Sequence, residues 1–224
     1  PLSGDSGFME SGIIQDDVDE ISTNPEVLMH RSATNADIVM VLTGDVYPEE
    51  GTVAAIGDDA SFANSAFAIV EGGATSGKNL VFVHELGHLF GARHHLEENC
   101  VSNNDSTTVP FPHAHGYVVR KGCNCLFFSQ TTKLSVMAAS CSVAYGSLNR
   151  FSNPDVKWRN KRTGKTGKNN NAKVLRDEAC RVANYRPSTV AQTQITGLTK
   201  ACRGEVVTLT GEVTNIAGPY VYEW

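Results

Sequence analysis

The residue types with the clearest chemistry lie in one short segment, VFVHELGHLFGARHH, at residues 81–95. Five of its residues follow the spacing H-E-x-x-H-x-x-G-x-x-H, namely His84, Glu85, His88, Gly91 and His94. Two histidines four positions apart lie one turn apart on the same face of an α-helix, so their rings can reach one metal ion. Glu85 is rotated by about 100° from His84, which lets it reach a water molecule on that metal without becoming a ligand.

The third histidine requires a bend in the chain. Six further steps of about 100° would carry His94 off the ligand face if the helix continued past His88. Gly91 can adopt the positive φ that ends helices, so we expect the helix to stop there and the chain to turn. Three neutral imidazoles leave one tetrahedral position for water, as in catalytic zinc sites. We therefore predict one catalytic Zn²⁺ on His84, His88 and His94, with Glu85 as general base.

Three other histidines lie near this motif but outside its spacing. We expect His95 at the surface or beside a ligand, and His113 and His115 beside a ligand or in the cleft wall, because three ligands already serve the metal. Two alternatives stay open for the motif itself. One is a helix that is only rich in histidine, and the other is a bound zinc without catalytic function.

Composition restricts the class of protein. Of the 224 residues 41% are hydrophobic, which is enough for a core, and the formal charge is −5. An acidic chain argues against nucleic acid as the main partner. The sequence contains no run of about 18 apolar residues, the length that would span a membrane. Six cysteines, and a start at Pro1 without an initiator Met or signal peptide, predict a secreted, processed product. Six cysteines allow fifteen pairings, which the sequence does not resolve.

The chain before the histidine segment predicts an α/β layer. Residues 13–28 indicate a short amphipathic helix with a solvated acidic side, for which calcium binding is the alternative. The apolar run 36–43 predicts a buried central strand, 51–57 and 67–71 predict further strands, and 79–90 the histidine helix. The acidic residues of the first helix are Asp16, Asp17, Asp19 and Glu20.

Two segments come close to binding motifs. Residues 72–79, GGATSGKN, nearly match the phosphate-binding loop, but Asn79 stands where that loop needs a hydroxyl, which favours a glycine turn. Residues 157–168 hold six cations, which we interpret as a solvated loop, with a substrate-attracting patch as the alternative.

The remaining chain predicts a turn, a helix and a short β tail. Met137 lies in the small-residue segment 134–140, LSVMAAS, and Pro187 ends a helix predicted at 171–186. Residues 188–193 are typical of a linker, and from 194 onward apolar and polar residues alternate as in strands. The apolar positions of the helix are Ala172, Leu175, Ala179, Val182 and Ala183.

Taken together, these motifs resemble the reprolysin-like metzincins, most closely the bacterial peptidyl-Asp metallopeptidases. The resemblance covers about residues 8–187 and also rests on FPHAHGY at 111–117, FSNPD at 151–155 and NAKVL at 171–175. It implies an α/β (α+β) metzincin domain at 1–187, with a mixed twisted sheet, a zinc helix, a Met-turn and a C-terminal helix. Residues 194–224 resemble the start of a bacterial immunoglobulin-like domain.

The resemblance also implies roles for individual residues. His84, His88 and His94 would be the zinc ligands and Glu85 the general base of a secreted endopeptidase. Met137 would lie in the turn beneath the metal site, and Gly91 would support that site. The strand at 51–57 would form the edge above the cleft, where a substrate strand pairs with Val53, Ala54 and Ala55. We expect a monomer acting on protein or peptide substrates.

An Asp preference on the leaving-group side, also implied by the family, needs a cation near the pocket. Arg120, Lys121, Lys133 and Arg150 are the candidates.

The chain departs from the family at Ala139, where some metzincins place a Tyr, and it has less chain before the zinc helix than they do. Two other functions stay open, a catalytically silent binding module and a zinc-dependent amidase or deacylase for small molecules.

Overall fold

The structure of the chain is a computed structural model. It describes residues 8–44, 46–57, 60–75, 80–96, 111–121, 131–138 and 146–186, together with the pairs 195–196 and 210–211. Within these residues no helix is long and apolar enough to cross a membrane. The Tyr-replacing residue Ala139 and the cysteines other than Cys180 lie outside the described residues.

Two helices begin the fold, where the sequence predicted one. Helix α1 spans Ile14–Thr23 and helix α2 spans Pro25–Thr34. Between them Asn24 is extended, and its side chain accepts hydrogen bonds from the N–H groups of Glu26 and Val27. Asn at the N-cap and Pro at the first helical position are a strong start signal. The prediction of a single helix was therefore wrong.

The acidic side of α1 is only partly solvated. Asp16, Asp19 and Glu20 are exposed, as predicted, but Asp17 is 1% exposed. Its Oδ2 accepts hydrogen bonds from the Ser11 N–H at 2.8 Å and from the Tyr47 hydroxyl at 2.6 Å. Asp17 therefore ties α1 to the loop after the first strand, and nothing in the described residues supports calcium there.

A mixed three-stranded sheet follows. Its strands are β1 at Val39–Thr43, β2 at Gly51–Val53 and β3 at Phe67–Glu71, in the order β1-β3-β2. β1 is parallel to β3, and β2 is antiparallel to it. The prediction that 36–43 is the central strand was wrong, since β3 holds that position. β1 pairs with one strand only in the described residues, and its Leu42 is 57% exposed.

The central strand is buried because helices cover both of its faces. Phe67 and Ile69 pack with the apolar side of α1 and α2. The alternating residues Ala68 and Val70 pack towards helix α3, which spans Val81–Leu89 and contains the histidine motif. All five residues of β3 are buried, and the α/β prediction is confirmed. A 3₁₀ helix at Gly72–Thr75 stands where a glycine turn was expected.

The second half holds short strands and one long helix. β4 (Val118–Lys121), β5 (Thr131–Leu134) and β6 (Gly146–Ser147) form a second mixed sheet. β7 (Asn153–Trp158) and β8 (Lys161–Thr163) form a hairpin where the sequence predicted a loop. Its turn residues Arg159 and Asn160 both have positive φ, 45° and 67°, which suits a two-residue hairpin turn.

Helix α4 spans Asn171–Val182, and a turn follows it where the prediction extended the helix to 186. Its buried residues are Asn171, Val174 and Val182, whereas Ala179, predicted on the apolar face, is exposed. β9 (Ile195–Thr196) and β10 (Thr210–Gly211) pair antiparallel, which agrees with the short β tail. The domain boundaries and the immunoglobulin-like assignment stay predictions.

We expect Tyr47→Phe to lower the free energy of unfolding by about 2 kcal/mol at neutral pH, because it removes a hydrogen bond to the buried carboxylate of Asp17. Burial alone would raise the pKa of Asp17, but the hydrogen bonds from Tyr47 and Ser11 lower it below its ordinary 3.8. The stabilisation is therefore complete above 3.8 and is lost as pH falls through the lower pKa of the folded state.

Urea unfolding of both proteins across this pH range measures the difference. Tyr185→Phe is a matched control, because its hydroxyl accepts a hydrogen bond from the guanidinium group of Arg181. A Tyr47→Phe difference that does not shrink in acid would contradict the assignment to Asp17.

Candidate metal centre

The imidazoles of the motif converge through their Nε2 atoms. His94 Nε2 lies 2.9 Å from His84 Nε2 and 3.1 Å from His88 Nε2. The three form the one group of His, Cys, Asp or Glu side chains in the described residues that could hold a metal ion. This group does not include His95, His113 or His115, although all three lie in described parts of the chain.

The second nitrogen of two of these rings is bonded to the backbone. His84 Nδ1 lies 2.8 Å from the carbonyl oxygen of Val136, and His88 Nδ1 lies 2.8 Å from that of Ala92. A carbonyl oxygen can only accept, so both Nδ1 atoms must donate. This fixes the neutral tautomer with the lone pair on Nε2, which is the form that binds a metal.

The geometry fits zinc. Tetrahedral Zn–N bonds of about 2.0–2.1 Å place two ligand nitrogens about 3.3 Å apart. The observed separations of 2.9 and 3.1 Å need to open by only a few tenths of an ångström. Three nitrogen donors from His84, His88 and His94 then leave one position open, as in catalytic rather than structural zinc sites.

Burial keeps these rings neutral. It lowers the pKa of His84 to about 4, with His94 adding to the effect and the Val136 carbonyl opposing it. Burial also lowers the pKa of His94 to about 4, assisted by His95 and His115, and it holds that of His88 well below 6.5. All three side chains are therefore ready to coordinate a cation at neutral pH.

The reversal between the second and third histidines occurs where the sequence predicted it. α3 ends at Leu89, and Gly91 has φ +90°. A side chain at 91 would also collide with the carbonyl oxygen of Gly57 and approach the Phe111 ring at 3.0 Å. Both the backbone conformation and the space at this position require glycine.

Met137 lies in a turn packed beneath α3 and is fully buried. A Cβ atom at Gly87 of α3 would lie 2.8 Å from Met137 Sδ, so the helix and the turn meet without an intervening side chain. Gly116 contacts the Met137 carbonyl on another side. The carbonyl that accepts from His84 belongs to Val136, the residue before Met137. The turn thus contacts both the helix and one histidine.

Glu85 is buried beside the edge strand β2. It is 6% exposed, and burial raises its pKa to about 8. A Cβ atom at Gly51 would lie 3.0 Å from Glu85 Cγ, 3.1 Å from Glu85 Oε1 and 2.8 Å from Val81 Cγ1. Gly51 therefore makes room for the carboxylate. No sequence pattern indicated this role, because the contact joins residues that are far apart in the chain.

Comparisons with known proteins agree with this geometry. The family model described as Metallo-peptidase family M12B Reprolysin-like matches residues 7–95. A peptidyl-Asp metalloendopeptidase of Stenotrophomonas maltophilia is 30% identical over 157 residues, and one of Xanthomonas campestris pv. campestris is 31% identical over 157 residues. Each alignment covers 70% of this chain. Residues 7–95 match the reprolysin-like metallopeptidase family, so the resemblance predicted from the motifs is confirmed.

The chain spans about a third of those relatives, 33% and 32% of their lengths. A solved chain titled "Structure of a chaperone-substrate complex" matches 81% of this chain with a TM-score of 0.52. That match covers 26% of the solved chain at 16% identity, so it supports the fold alone.

The three residues predicted to bind substrate lie at the end of β2. Val53, Ala54 and Ala55 are all half-buried. Ala54 donates its N–H to the Phe67 carbonyl of β3, so alternation along the strand turns the N–H and C=O of Gly51 and Val53 away from β3. Substrate pairing at these positions stays a prediction.

The remaining histidines differ in their positions. His95 and His115 are buried, so the surface position considered for His95 was wrong, and His113 is half-buried. His115 Nδ1 lies 2.8 Å from the His94 carbonyl oxygen, which agrees with a place beside a ligand.

Sequence reasoning missed the buried polar residues Ser152 and Asn171 that contact this region, although both stand in the motifs FSNPD and NAKVL.

We expect the chain to bind one zinc ion. His94→Ala should weaken zinc binding by more than about 100-fold, which exceeds the usual loss on removing a residue that only hydrogen-bonds to a metal ligand, because only two imidazoles remain. Protons should compete with zinc only as pH falls towards about 4, the pKa of His84 and His94, rather than near 6.5. Equilibrium dialysis with metal analysis measures both. His30→Ala, an exposed histidine on α2, should bind as the natural chain does, and equal binding by His94→Ala would contradict the site.

Proposed function

We propose that this chain is the catalytic part of a secreted, zinc-dependent endopeptidase. The observation that carries the proposal is the convergence of three Nε2 atoms beside a buried glutamate, under a sheet edge that is open among the described residues. The curated relatives are named as metalloendopeptidases, which supports hydrolysis of peptide bonds. The chain spans about a third of them, so the activity of the whole protein is part of the proposal.

In this proposal His84, His88 and His94 hold the metal through Nε2. Bound zinc would polarise the scissile carbonyl as a Lewis acid and lower the pKa of water in its open position. The carbonyls of Val136 and Ala92 keep two of the rings in the tautomer that this requires. Met137 would close the site from below, where it is packed against Gly87 of α3.

Glu85 is the proposed general base and then the general acid. Burial favours its protonated form, whereas a nearby cation favours the carboxylate, so its proton affinity is adjustable close to neutral pH. The carboxylate takes a proton from the attacking water as the new C–O bond forms, and hands it to the departing amine nitrogen as the C–N bond breaks. Gly51 leaves the space in which this carboxylate sits.

The edge of β2 is the proposed binding site for the substrate backbone. Among the described residues β2 pairs with β3 only, so its other edge is open. Gly51 and Val53 would exchange hydrogen bonds with an extended peptide, while the Ala54 N–H is already bonded to Phe67. Because Gly51 touches Glu85, a peptide on this edge would run directly past the base.

An Asp preference on the leaving-group side is the finer part of the proposal. The names of the relatives support it, and so do cations near the Met137 turn. Arg150 is the first candidate, because its carbonyl accepts from the Val136 N–H and its exposed side chain is free of the core. Lys133 is the second, since its ammonium group lies against Gly146 of β6. Arg120 and Lys121 lie on β4.

Secretion, disulfide bonding and a monomeric state are also proposed. The six cysteines support the first two, and Cys180, the one cysteine in the described residues, has no free thiol. Protein or peptide chains are the proposed partners, and the net charge of −5 argues against nucleic acid.

We expect Glu85→Gln to keep zinc binding and to lose nearly all cleavage of casein, at least about 100-fold, because the amide cannot accept the proton. Chelator-sensitive casein digestion and bound zinc are measured on the same preparations. Asp19→Asn, an exposed carboxylate on α1, is the control and should cleave as the natural chain does.

The same assay separates the two alternatives. A natural chain that binds zinc without cleaving casein or peptides would support a silent binding module. Faster hydrolysis of short amides than of long peptides would support an amidase. Full activity of Glu85→Gln would remove Glu85 from the mechanism.

We expect cleavage sites in a proteome-derived peptide library to be enriched in Asp immediately after the cut. Arg150→Gln should reduce this enrichment severalfold by removing the cation, with Lys133→Gln as the second test. Arg159→Gln, an exposed cation in the β7–β8 turn, is the control and should leave the profile unchanged. A library without Asp enrichment in the natural chain would contradict the preference itself.

A further inference from the structure

We propose that His115 is a positioning residue that holds the third zinc ligand, His94, through its backbone. The inference rests on the proposed zinc site. His115 is 1% exposed, and its Nδ1 lies 2.8 Å from the His94 carbonyl oxygen, so Nδ1 must donate this hydrogen bond. The ring thereby binds the backbone of His94, and His115 is not itself one of the three histidines that could hold a metal ion.

His94 needs a support that the other two ligands already have. His84 and His88 belong to α3, so helical hydrogen bonds fix their backbone, and their rings are bonded to Val136 and Ala92. His94 follows the bend at Gly91 and lies outside any helix or strand. Its place therefore depends on contacts made by the segment around it.

Those contacts come from the segment that carries His115. Arg93 and His115 form a parallel bridge, in which the Arg93 N–H donates to the Ala114 carbonyl at 2.7 Å. The Gly116 N–H donates to the Arg93 carbonyl at 2.9 Å. The His115 side chain adds the bond to His94, one residue further along. The three bonds align the two segments side by side.

The segment of His115 is in turn held by a buried polar cluster near the start of α4. Ser152 Oγ donates to the His115 carbonyl at 2.7 Å and accepts from the Asn171 N–H at 2.8 Å. Asn171 Nδ2 donates to the Ala114 carbonyl, and Asn169 Nδ2 donates to the Gly116 carbonyl at 2.6 Å. Ser152, Asn169 and Asn171 are all buried, so water does not compete for these bonds.

The arrangement gives His115 a function that packing alone does not require. The bond to the His94 carbonyl needs a nitrogen donor at the position of Nδ1. Asn carries its Nδ2 the same number of bonds from the backbone as His carries Nδ1, so His115→Asn can restore the donor. Leu fills the space without a donor.

The test compares His115→Leu, His115→Asn and the natural 224-residue chain in zinc affinity, by competition with a chromogenic chelator at neutral pH. We expect the Leu variant to bind zinc about 10–100-fold more weakly, as losses of outer partners do, and the Asn variant to recover most of the affinity. The absorption of Co²⁺ in the site reports the coordination geometry and should change in the Leu variant alone. His30→Leu, at an exposed histidine on α2, is the control and should bind zinc as the natural chain does.

Thermal unfolding of the metal-free proteins separates positioning from stability. A structural role alone would lower the metal-free melting temperature of His115→Leu and leave the zinc affinity of the folded protein unchanged, which would overturn the proposal. An Asn variant as weak as the Leu variant, or failure of both to fold, would also overturn it. Absence of zinc binding in the natural chain would overturn the metal assignment first, and equal affinity in all variants would overturn His115 alone.

Discussion

The site depends on bringing three imidazole lone pairs to one point when a helix can supply only two of them. His84 and His88 are aligned by the periodicity of α3. The third lone pair requires the chain to leave the helix within three residues of His88 and to return towards its face. Gly91, with φ +90°, makes that reversal, and the backbone around His94 then has to be fixed by other parts of the fold.

The second constraint is the short distance between the elements of the site, which meet at glycines because a side chain there would keep them apart. Gly51 lets the edge strand approach Glu85, and Gly87 lets α3 approach Met137. Gly116 does the same for the carbonyl side of the Met137 turn. At each place a single methyl group would lie within about 3 Å of a site residue, where close-packed interiors have no slack. The positions of Glu85 and Met137 are therefore set by close contacts with the backbone at these glycines.

The motif could be predicted from the sequence because its spacing reports helix geometry directly. Segment 67–71 was recognised as a strand for a similar reason, since its apolar residues are continuous. The features that were missed depend on distant partners. The burial of Asp17 depends on Tyr47, 30 residues later, and the central place of β3 depends on which strands flank it. The hairpin at Arg159 and Asn160 lacks the glycine that normally marks such a turn.

Asn24 and Pro25, by contrast, carried a readable signal for the start of a helix. The amphipathic pattern of residues 13–28, which runs across them, hid that signal. The conflict is between two local rules, one on amphipathic spacing and one on capping, and the capping residues decided the outcome. Sequence patterns thus identified the three histidines that the fold brings together. They located the surrounding residues poorly, since those are small residues or buried polar ones.

One carboxyl group at the end of β3 fixes the connection that leads into β2. Glu71 ends β3 and is buried, and its Oε1 accepts the N–H groups of Val46 at 3.0 Å and Tyr47 at 2.8 Å. Moving this connection away from β3 would leave a buried carboxyl oxygen without either donor, which costs free energy. The start of β2, where Gly51 approaches Glu85, is therefore held in place, and a peptide on the proposed edge would have to adapt to it.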